Sequence, residues 1–61
     1  MTRIGTKQDV NRIVKMLSVN GFGLDKKPDR IRAFDGQETV YRALKTNGSG
    51  WIIYYNEKYF G

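Results

Sequence analysis

The spacing of apolar residues changes near Asn20-Gly21, and this change constrains the fold more than any other feature of the sequence. Between Lys7 and Val19 the apolar residues fall at i, i+3, i+4 and i+7, at Val10, Ile13, Val14 and Leu17. That spacing places one apolar stripe along an amphipathic helix. After Gly21 apolar and polar residues alternate, which is typical of β-strands with one buried face. The sequence therefore predicts one helix followed by strands.

The predicted helix carries signals at both ends. Thr6 is a suitable N-cap, and Asp9 can complete a short-armed capping box while placing negative charge at the positive end of the helix dipole. Asn20 and Gly21 can supply the left-handed residue that ends a helix. Phe22 is then expected to fold back onto the last helical turn. These signals predict that the helix begins after Thr6 and ends before Asn20.

Two dipeptides suited to tight hairpin turns, Asp35-Gly36 and Asn47-Gly48, separate three strand-like runs. The predicted fold is therefore α+β: one N-terminal helix packed on one face of a three-stranded antiparallel β-meander (α-β-β-β), as a single small domain over residues 1–61. The second hairpin allows two pairings. A two-residue turn pairs Leu44 with Trp51, and a four-residue loop pairs Leu44 with Ile53.

Alternation assigns each strand residue to one of two faces of the predicted sheet. The face expected to pack on the helix carries Ile31, Ala33, Val40, Leu44, Trp51, Ile53 and Tyr55. The opposite face carries Arg30, Arg32, Phe34, Thr39, Tyr41, Ala43, Lys45, Ile52 and Tyr54. This mixture suits a contact surface, although β-propensity and cross-strand packing alone also favour tyrosines there. Arg42 falls on the core face, so either it reaches water at the sheet edge or a β-bulge turns it outward.

The C-terminal NEKYFG allows several conformations. Tyr59 and Phe60 can continue the third strand, pack against the helix or form a mobile tail. Because a chain of 61 residues gains stability from two further rings, we expect partial burial.

Positive charge is concentrated in one segment. The net charge of +5 favours a polyanionic partner, although charge also keeps a small protein soluble. Four basic residues lie among the seven from Lys26 to Arg32. This segment leads into the strand that carries Arg30 and Arg32, so loop and sheet face can form one basic patch. The alternative is a solvated loop that Asp25 and Asp29 partly neutralise.

The sequence offers few residues for catalysis. Histidine and cysteine are absent, which removes the usual general base near neutral pH, the common nucleophile and the common zinc ligands. The carboxylates are too dispersed along the chain to gather a divalent cation. We therefore expect a non-enzymatic protein with no cofactor and no metal. A ribonuclease mechanism that uses Arg30, Arg32 and Tyr41 is the one enzymatic alternative.

The order of one helix followed by a three-stranded meander resembles the first four elements of the double-stranded-RNA-binding fold, which some small toxin domains share. The resemblance concerns topology only, since the final helix, a basic motif at its start and the histidine of such toxins have no counterpart. It therefore implies a fold and assigns no functional residues. Size and composition are similar to those of small accessory proteins of phages or mobile elements.

The leading hypothesis is a nucleic-acid-binding module that uses the open sheet face and the basic loop. The predicted site comprises Lys26, Lys27 and Lys45 on phosphates, Arg30 and Arg32 on phosphates or base planes, and Phe34, Tyr41 and Tyr54 as stacking platforms. The alternative is a protein interface, for a homodimer or for docking on and inhibiting an acidic protein, because Tyr, Phe and Arg are also enriched at interface hot spots. The lack of cysteine, signal peptide and apolar membrane span predicts a cytoplasmic location away from membranes.

Overall fold

The structure, a computed structural model, describes residues 2–60 of the chain. Within this range the chain forms β1 (Thr2–Gly5), α1 (Lys7–Val19), β2 (Gly23–Lys27), β3 (Arg30–Asp35), β4 (Glu38–Lys45), β5 (Trp51–Tyr55) and α2 (Glu57–Phe60). The strands make one antiparallel sheet in the order β1-β5-β4-β3-β2. Helix α1 packs on one face of this sheet through Val10, Val14 and Leu17, which are buried. Neither helix between residues 2 and 60 has the length and apolar character needed to cross a membrane.

Helix α1 has the boundaries and caps that the sequence predicts. The Thr6 hydroxyl accepts a hydrogen bond from the Asp9 amide at 3.2 Å, and the Asp9 carboxylate accepts one from the Thr6 amide at 3.0 Å. The backbone amide of Thr6, and then its hydroxyl, lower the pKa of Asp9 because they stabilise the carboxylate. At the other end Gly21 has a φ of +88°, and the Phe22 amide donates to the Leu17 carbonyl at 3.1 Å. The predicted helix is confirmed.

The predicted three-stranded meander is wrong, because the sheet has two further strands at its edges. Strand β1 precedes α1 and pairs with β5, and β2 follows α1 and pairs with β3. Both edge strands are short and lack regular apolar alternation, since an edge strand can be held mainly by backbone hydrogen bonds to one neighbour. A strand before α1 also departs from the α-β-β-β order on which the resemblance to the double-stranded-RNA-binding fold rests.

A β-bulge interrupts the alternation of β4. Phe34 lies opposite Thr39 and Ala33 lies opposite Tyr41, so Val40 is an extra residue with no direct partner on β3. Val40 and Tyr41 are consecutive, yet both are fully buried. The bulge therefore reverses the face on which every later residue of β4 lies.

This reversal overturns part of the predicted sidedness. Tyr41, Ala43 and Lys45 lie on the α1 side of the sheet, whereas Arg42 and Leu44 lie on the opposite side. The predictions of an outward Tyr41, Ala43 and Lys45 and of a core Leu44 are wrong for this reason. The bulge also turns Arg42 outward, which is one of the two solutions that the sequence allows for that residue.

Asn56 satisfies the backbone groups at the bulge. Its amide donates to the Val40 carbonyl at 3.0 Å, and its side-chain nitrogen donates to the Thr39 carbonyl at 2.9 Å. Its side-chain oxygen in turn accepts from the Lys58 amide at 3.0 Å, which caps the start of α2. One side chain thus joins the bulge to the C-terminal helix.

The hairpin between β3 and β4 turns one residue later than predicted. Asp35 pairs with Glu38, so Gly36 and Gln37 are the central turn residues. Gly36 has a φ of +62°, a conformation that glycine adopts without strain. The aspartate therefore ends β3 instead of entering the turn.

The hairpin between β4 and β5 has a longer loop than either predicted pairing requires. Lys45 pairs with Trp51, which leaves residues 46–50 as the loop and places Leu44 opposite Ile52. This loop has an odd number of residues, and it offsets the reversal caused by the bulge. Trp51 and Ile53 are consequently buried on the α1 side, as predicted.

The short helix α2 covers one end of the core. Tyr59 and Phe60 are partly buried against the core, as predicted, and the Tyr59 ring meets the Phe22 ring edge-on with centroids 5.8 Å apart. The Tyr59 hydroxyl lies 2.8 Å from a Glu38 carboxylate oxygen and 3.0 Å from one of Asp35. Helix α2 therefore contacts both the turn that follows α1 and the hairpin between β3 and β4.

Candidate nucleic-acid interface

The sheet face opposite α1, hereafter the open face, carries side chains in regular rows. Directly paired residues of neighbouring antiparallel strands share a face. One row, read from β2 to β1, is Asp25, Arg32, Arg42, Tyr54 and Thr2, and the next is Lys27, Arg30, Leu44, Ile52 and Ile4. Positive charge therefore lies on the side of β2, β3 and β4, and apolar side chains continue from β4 to the β1 edge.

The charged half of the open face contains a basic cluster, defined here as Lys27, Arg30, Arg32 and Arg42. These four side chains line a shallow cavity of about 270 Å³, together with Asp25 and other neighbours. Three adjacent strands, β2, β3 and β4, contribute to the cluster. The cavity is open to solvent and strongly positive, with one carboxylate among its lining residues.

Like charges in the basic cluster lie directly opposite one another. Arg32 pairs with Arg42 across β3 and β4, and Lys27 pairs with Arg30 across β2 and β3. Like charges at directly opposed positions destabilise a sheet. Asp25 is the cross-strand partner of Arg32, yet among residues 2–60 no carboxylate lies within 4.0 Å of a charged nitrogen of the cluster. The cluster therefore concentrates four positive charges beside one carboxylate, with which it forms no close ion pair.

Neighbouring side chains orient two of the guanidinium groups. Arg32 donates from Nε to the Thr39 hydroxyl at 2.8 Å, and its guanidinium carbon lies 5.2 Å from the centroid of the Phe34 ring. The guanidinium carbon of Arg42 lies 5.8 Å from the centroid of the Tyr54 ring. A guanidinium has five N–H donors, so most of those on Arg32 are not used by Thr39. Arg32 is thus oriented by a hydrogen bond and a ring contact and Arg42 by a ring contact, and both keep donors for a ligand.

Phe34 and Tyr54 are both partly buried, and they differ in what packs against their rings. The Phe34 ring packs on the backbone of Gly23 in β2, where any Cβ atom would overlap the ring. Arg32 also lies against that ring. Tyr54 is half-buried, and Arg42 is its one charged ring contact among the described residues. Tyr54 is therefore the more available ring for a planar ligand.

The other half of the open face forms an apolar stripe of Leu44, Ile52 and Ile4. These residues lie in register across β4, β5 and β1. Their side chains are 38 %, 43 % and 74 % exposed, respectively. An apolar row that ends at an unpaired sheet edge is a potential contact surface for a partner.

The structure brings five of the eight predicted site residues onto the open face. They are Lys27, Arg30, Arg32, Phe34 and Tyr54. Lys26 and Lys45 lie on the α1 side instead, because they pair with the buried residues Ile31 and Trp51. Lys45 there borders an open depression that Lys7 and Trp51 also line.

Tyr41 cannot act as a stacking platform. Its side chain is fully buried on the α1 side, with the Tyr55 ring at 5.4 Å and the Phe60 ring at 6.3 Å. Its hydroxyl has no hydrogen-bond partner among the described residues, and burial raises its pKa. The predicted outward placement of Tyr41 is wrong because of the β4 bulge. The arrangement of Arg30, Arg32 and Tyr41 proposed for a ribonuclease is consequently not assembled on one face.

Arg42 belongs to the basic cluster, although the alternation of the sequence does not place it there. Simple alternation places Arg42 on the core face, since it lies two residues from Val40. A charged residue at an apparently buried position is itself a signal, because an unpaired buried charge is strongly unfavourable. Arg42 therefore marks the irregularity in β4 that places it beside Arg32.

Comparison with protein-family models, curated proteins and solved structures finds no match for this chain. Within residues 2–60 no group of three or more acidic, histidine or cysteine side chains is arranged to hold a metal ion. The open face and its basic cluster are the features from which a function can be argued.

Proposed function

We propose that this protein is a non-enzymatic module that binds nucleic acid on its open face. The observation that supports the proposal most directly is the basic cluster, in which Arg32 faces Arg42 and Lys27 faces Arg30 and no described carboxylate forms an ion pair with them. A phosphate placed among these groups would replace repulsion by charge-assisted hydrogen bonds. Release of counterions from the nucleic acid would add to the affinity.

Solubility alone is a weaker explanation of this charge. Charges that merely keep a protein soluble can be dispersed over its surface, and opposed like charges reduce the stability of a sheet. A protein of 61 residues has a small core and little stability in reserve, so this loss of stability matters. We propose a cytoplasmic site of action, since a chain without cysteine is suited to a reducing compartment.

The proposal is tested by titrating the protein with labelled single-stranded and double-stranded DNA and RNA, at low and at physiological salt. We expect micromolar or tighter binding to at least one of them. The logarithm of the affinity should fall linearly with the logarithm of salt concentration, with a slope of roughly 0.7 to 0.9 for each phosphate contacted. An absence of binding to all four ligands at low salt contradicts the proposal.

Two arginine variants show whether the open face is responsible. Arg42→Ala removes one guanidinium from the basic cluster, and Arg12→Ala removes one from the exposed side of α1, where Arg12 lies 3.6 Å from Asp9. We expect Arg42→Ala to weaken binding and to reduce the salt slope by about one contact, whereas Arg12→Ala has little effect. Equal losses in the two variants would mean that net charge alone drives binding.

A second candidate function is supported by the apolar stripe. Leu44, Ile52 and Ile4 could contact an acidic protein or a second copy of this chain, with the basic cluster beside them providing charge complementarity. Sedimentation over a range of protein concentrations tests for the homodimer. An Ile4→Thr variant should abolish a concentration-dependent dimer formed through the stripe, because it removes the most exposed apolar side chain.

A further inference from the structure

We infer that the ligand of the open face is a single strand, with one backbone phosphate in the cavity of the basic cluster and an unpaired base stacked on Tyr54. This inference rests on the proposed function and names the form of nucleic acid that the same face would accept. It depends on the size of the cavity, the spacing of the three arginines along and across the strands, and the position of the Tyr54 ring.

The cavity of the basic cluster is large enough for one chemical group of a larger ligand. Pockets that enclose drug-sized ligands have volumes of roughly 300 to 1,000 Å³, and the cavity of the basic cluster has about 270 Å³ and is open. It can accept one charged group while the rest of the ligand lies across the sheet. A phosphodiester is such a group, since it carries charge and continues on both sides.

The arginines of the cluster are spaced to share one anion. Arg30 and Arg32 are two residues apart on the same face of β3, about 7 Å along the strand. Arg42 lies directly opposite Arg32, at a Cβ separation of about 5 Å. All three side chains line the same cavity, so one phosphate placed there lies within reach of all three. Bidentate contacts of guanidinium with phosphate would then fix the position of the ligand backbone.

Tyr54 places an aromatic ring directly beside this phosphate position. It is the cross-strand partner of Arg42, whose guanidinium lies 5.8 Å from the ring centroid. In the adjacent row Ile52 and Leu44 are partly exposed, so the surroundings of the ring are apolar on that side. A base that stacks on Tyr54 would therefore leave water while its own phosphate stays in contact with Arg42.

Duplex nucleic acid cannot make this pair of contacts. The bases of a duplex are stacked and paired with each other, so their faces are not available to a protein ring. Bases of a single strand can be spread over a surface and stacked on aromatic side chains, whatever their sequence. Phe34 is a poorer platform, because Gly23 and Arg32 already contact its ring. The inference therefore assigns stacking to Tyr54 alone.

The test compares Tyr54→Leu with Tyr54→Phe. The probes are a fluorescein-labelled oligothymidylate of about 12 nucleotides and a mixed-sequence DNA duplex of the same length, in one buffer at low salt. We expect Tyr54→Leu to weaken oligothymidylate binding roughly 5- to 150-fold, which corresponds to the loss of one base stack. Tyr54→Phe keeps the ring and should retain the affinity of the original protein. The unaltered protein should bind the duplex more weakly than oligothymidylate, and Tyr54→Leu should leave the affinity for the duplex unchanged.

Amide spectra of the two variants verify the fold, and chemical-shift changes map the contact. Addition of oligothymidylate should move signals of Arg30, Arg32, Arg42 and Tyr54 while leaving those along the exposed side of α1 in place. Equal binding of duplex and oligothymidylate, with Tyr54→Leu harmless to both, overturns the inference while the proposed function stands. Loss of affinity in Tyr54→Phe as severe as in Tyr54→Leu overturns it as well. Failure of the unaltered protein to bind either DNA probe overturns the inference, and failure to bind single-stranded and double-stranded RNA as well removes the proposed function.

Discussion

At the scale of single residues, Tyr41 has a ring that stabilises the core and a hydroxyl that destabilises it. Its ring is part of an aromatic group with Tyr55 and Phe60, with centroids 5.4 and 6.3 Å away. Its hydroxyl is buried and has no partner among residues 2–60. An unsatisfied buried hydroxyl costs about 1 to 3 kcal/mol, whereas burial of the ring is strongly favourable.

Removal of that hydroxyl should stabilise the protein. We expect Tyr41→Phe to raise the free energy of unfolding by about 1 kcal/mol, because it removes an unpaired polar group and keeps the ring. Tyr41→Ala should lower it by about 3 to 5 kcal/mol through the cavity left behind. Urea unfolding followed by circular dichroism measures both, and Tyr54→Phe on the open face serves as the control with no expected gain. A destabilised Tyr41→Phe would mean that the hydroxyl has a partner, such as a buried water molecule.

At the scale of elements, the bulge in β4 and helix α2 depend on each other through Asn56. Its side chain donates to the Thr39 carbonyl and accepts from the Lys58 amide, and alanine can make neither hydrogen bond. We expect Asn56→Ala to lower the free energy of unfolding by about 1 to 2 kcal/mol, since it removes a helix cap and leaves a part-buried carbonyl without its donor. Asn11→Ala on the exposed side of α1 is the matched control, and alanine is favourable there.

Helix α2 also contacts the hairpin between β3 and β4 through Glu38. The Tyr59 hydroxyl, followed by the Lys58 ammonium group at 3.1 Å, lowers the pKa of Glu38 because both stabilise its carboxylate. A carboxyl group whose pKa is lower in the folded state stabilises the protein above its usual pKa of 4.5 and loses this contribution as the pH falls through the folded value. Acidification should therefore weaken the attachment of α2.

A pH series tests this contact. The urea midpoint of the original protein should exceed that of Glu38→Gln near neutral pH, and the difference should shrink as the pH falls below the usual carboxyl pKa of 4.5. Asp9 contributes acid sensitivity of the same sign through Thr6, and it is present in both proteins. A difference that stays constant across the series would show that the contact does not depend on the charge of Glu38.

The elements also show which parts of the fold could be read from the sequence. Helix α1 could, because its apolar stripe and its caps at Thr6 and Gly21 are local signals. Strands β1 and β2 could not, because each is a short edge strand without regular apolar alternation and can be held mainly by backbone hydrogen bonds to one neighbour. Alternation places Arg30 and Arg32 on the correct face because they precede the bulge, whereas it places Tyr41, which follows the bulge, on the wrong face. A bulge moves every later residue of its strand to the other face of the sheet, and alternation alone does not show where the bulge lies.

At the scale of the whole molecule, charge and apolar surface are separated on one sheet face. The basic cluster lies toward β2 and the apolar stripe ends at β1, within a molecule whose longest dimension is 31 Å. Positive charge that is not neutralised in the free protein raises its energy by self-repulsion, and salt screens such repulsion. The free protein and its complex should therefore respond to salt in opposite directions.

We expect the unfolding midpoint of the free protein to rise between roughly 20 and 300 mM sodium chloride, while nucleic-acid affinity falls over the same range. The Arg42→Ala variant should show a smaller rise, because it removes one member of the opposed pair with Arg32. Thermal unfolding monitored by circular dichroism gives the first quantity and fluorescence anisotropy gives the second. A midpoint that falls with salt would show that attractive ion pairs, and not repulsion, dominate the surface.

The position of β1 also bears on the order in which the sheet assembles. The pairings of β2 with β3, β3 with β4 and β4 with β5 join neighbours along the chain, whereas β1 reaches β5 across nearly the whole sequence, with Thr2 opposite Tyr54. Closing so long a loop carries a larger entropic penalty than the other three strand pairings of this sheet, and relatively few side-chain contacts compensate for it. We expect the hairpins to form early and β1 to join last. Its amide protons should then be among the first in the sheet to exchange with solvent, by detachment of one strand while the core stays folded.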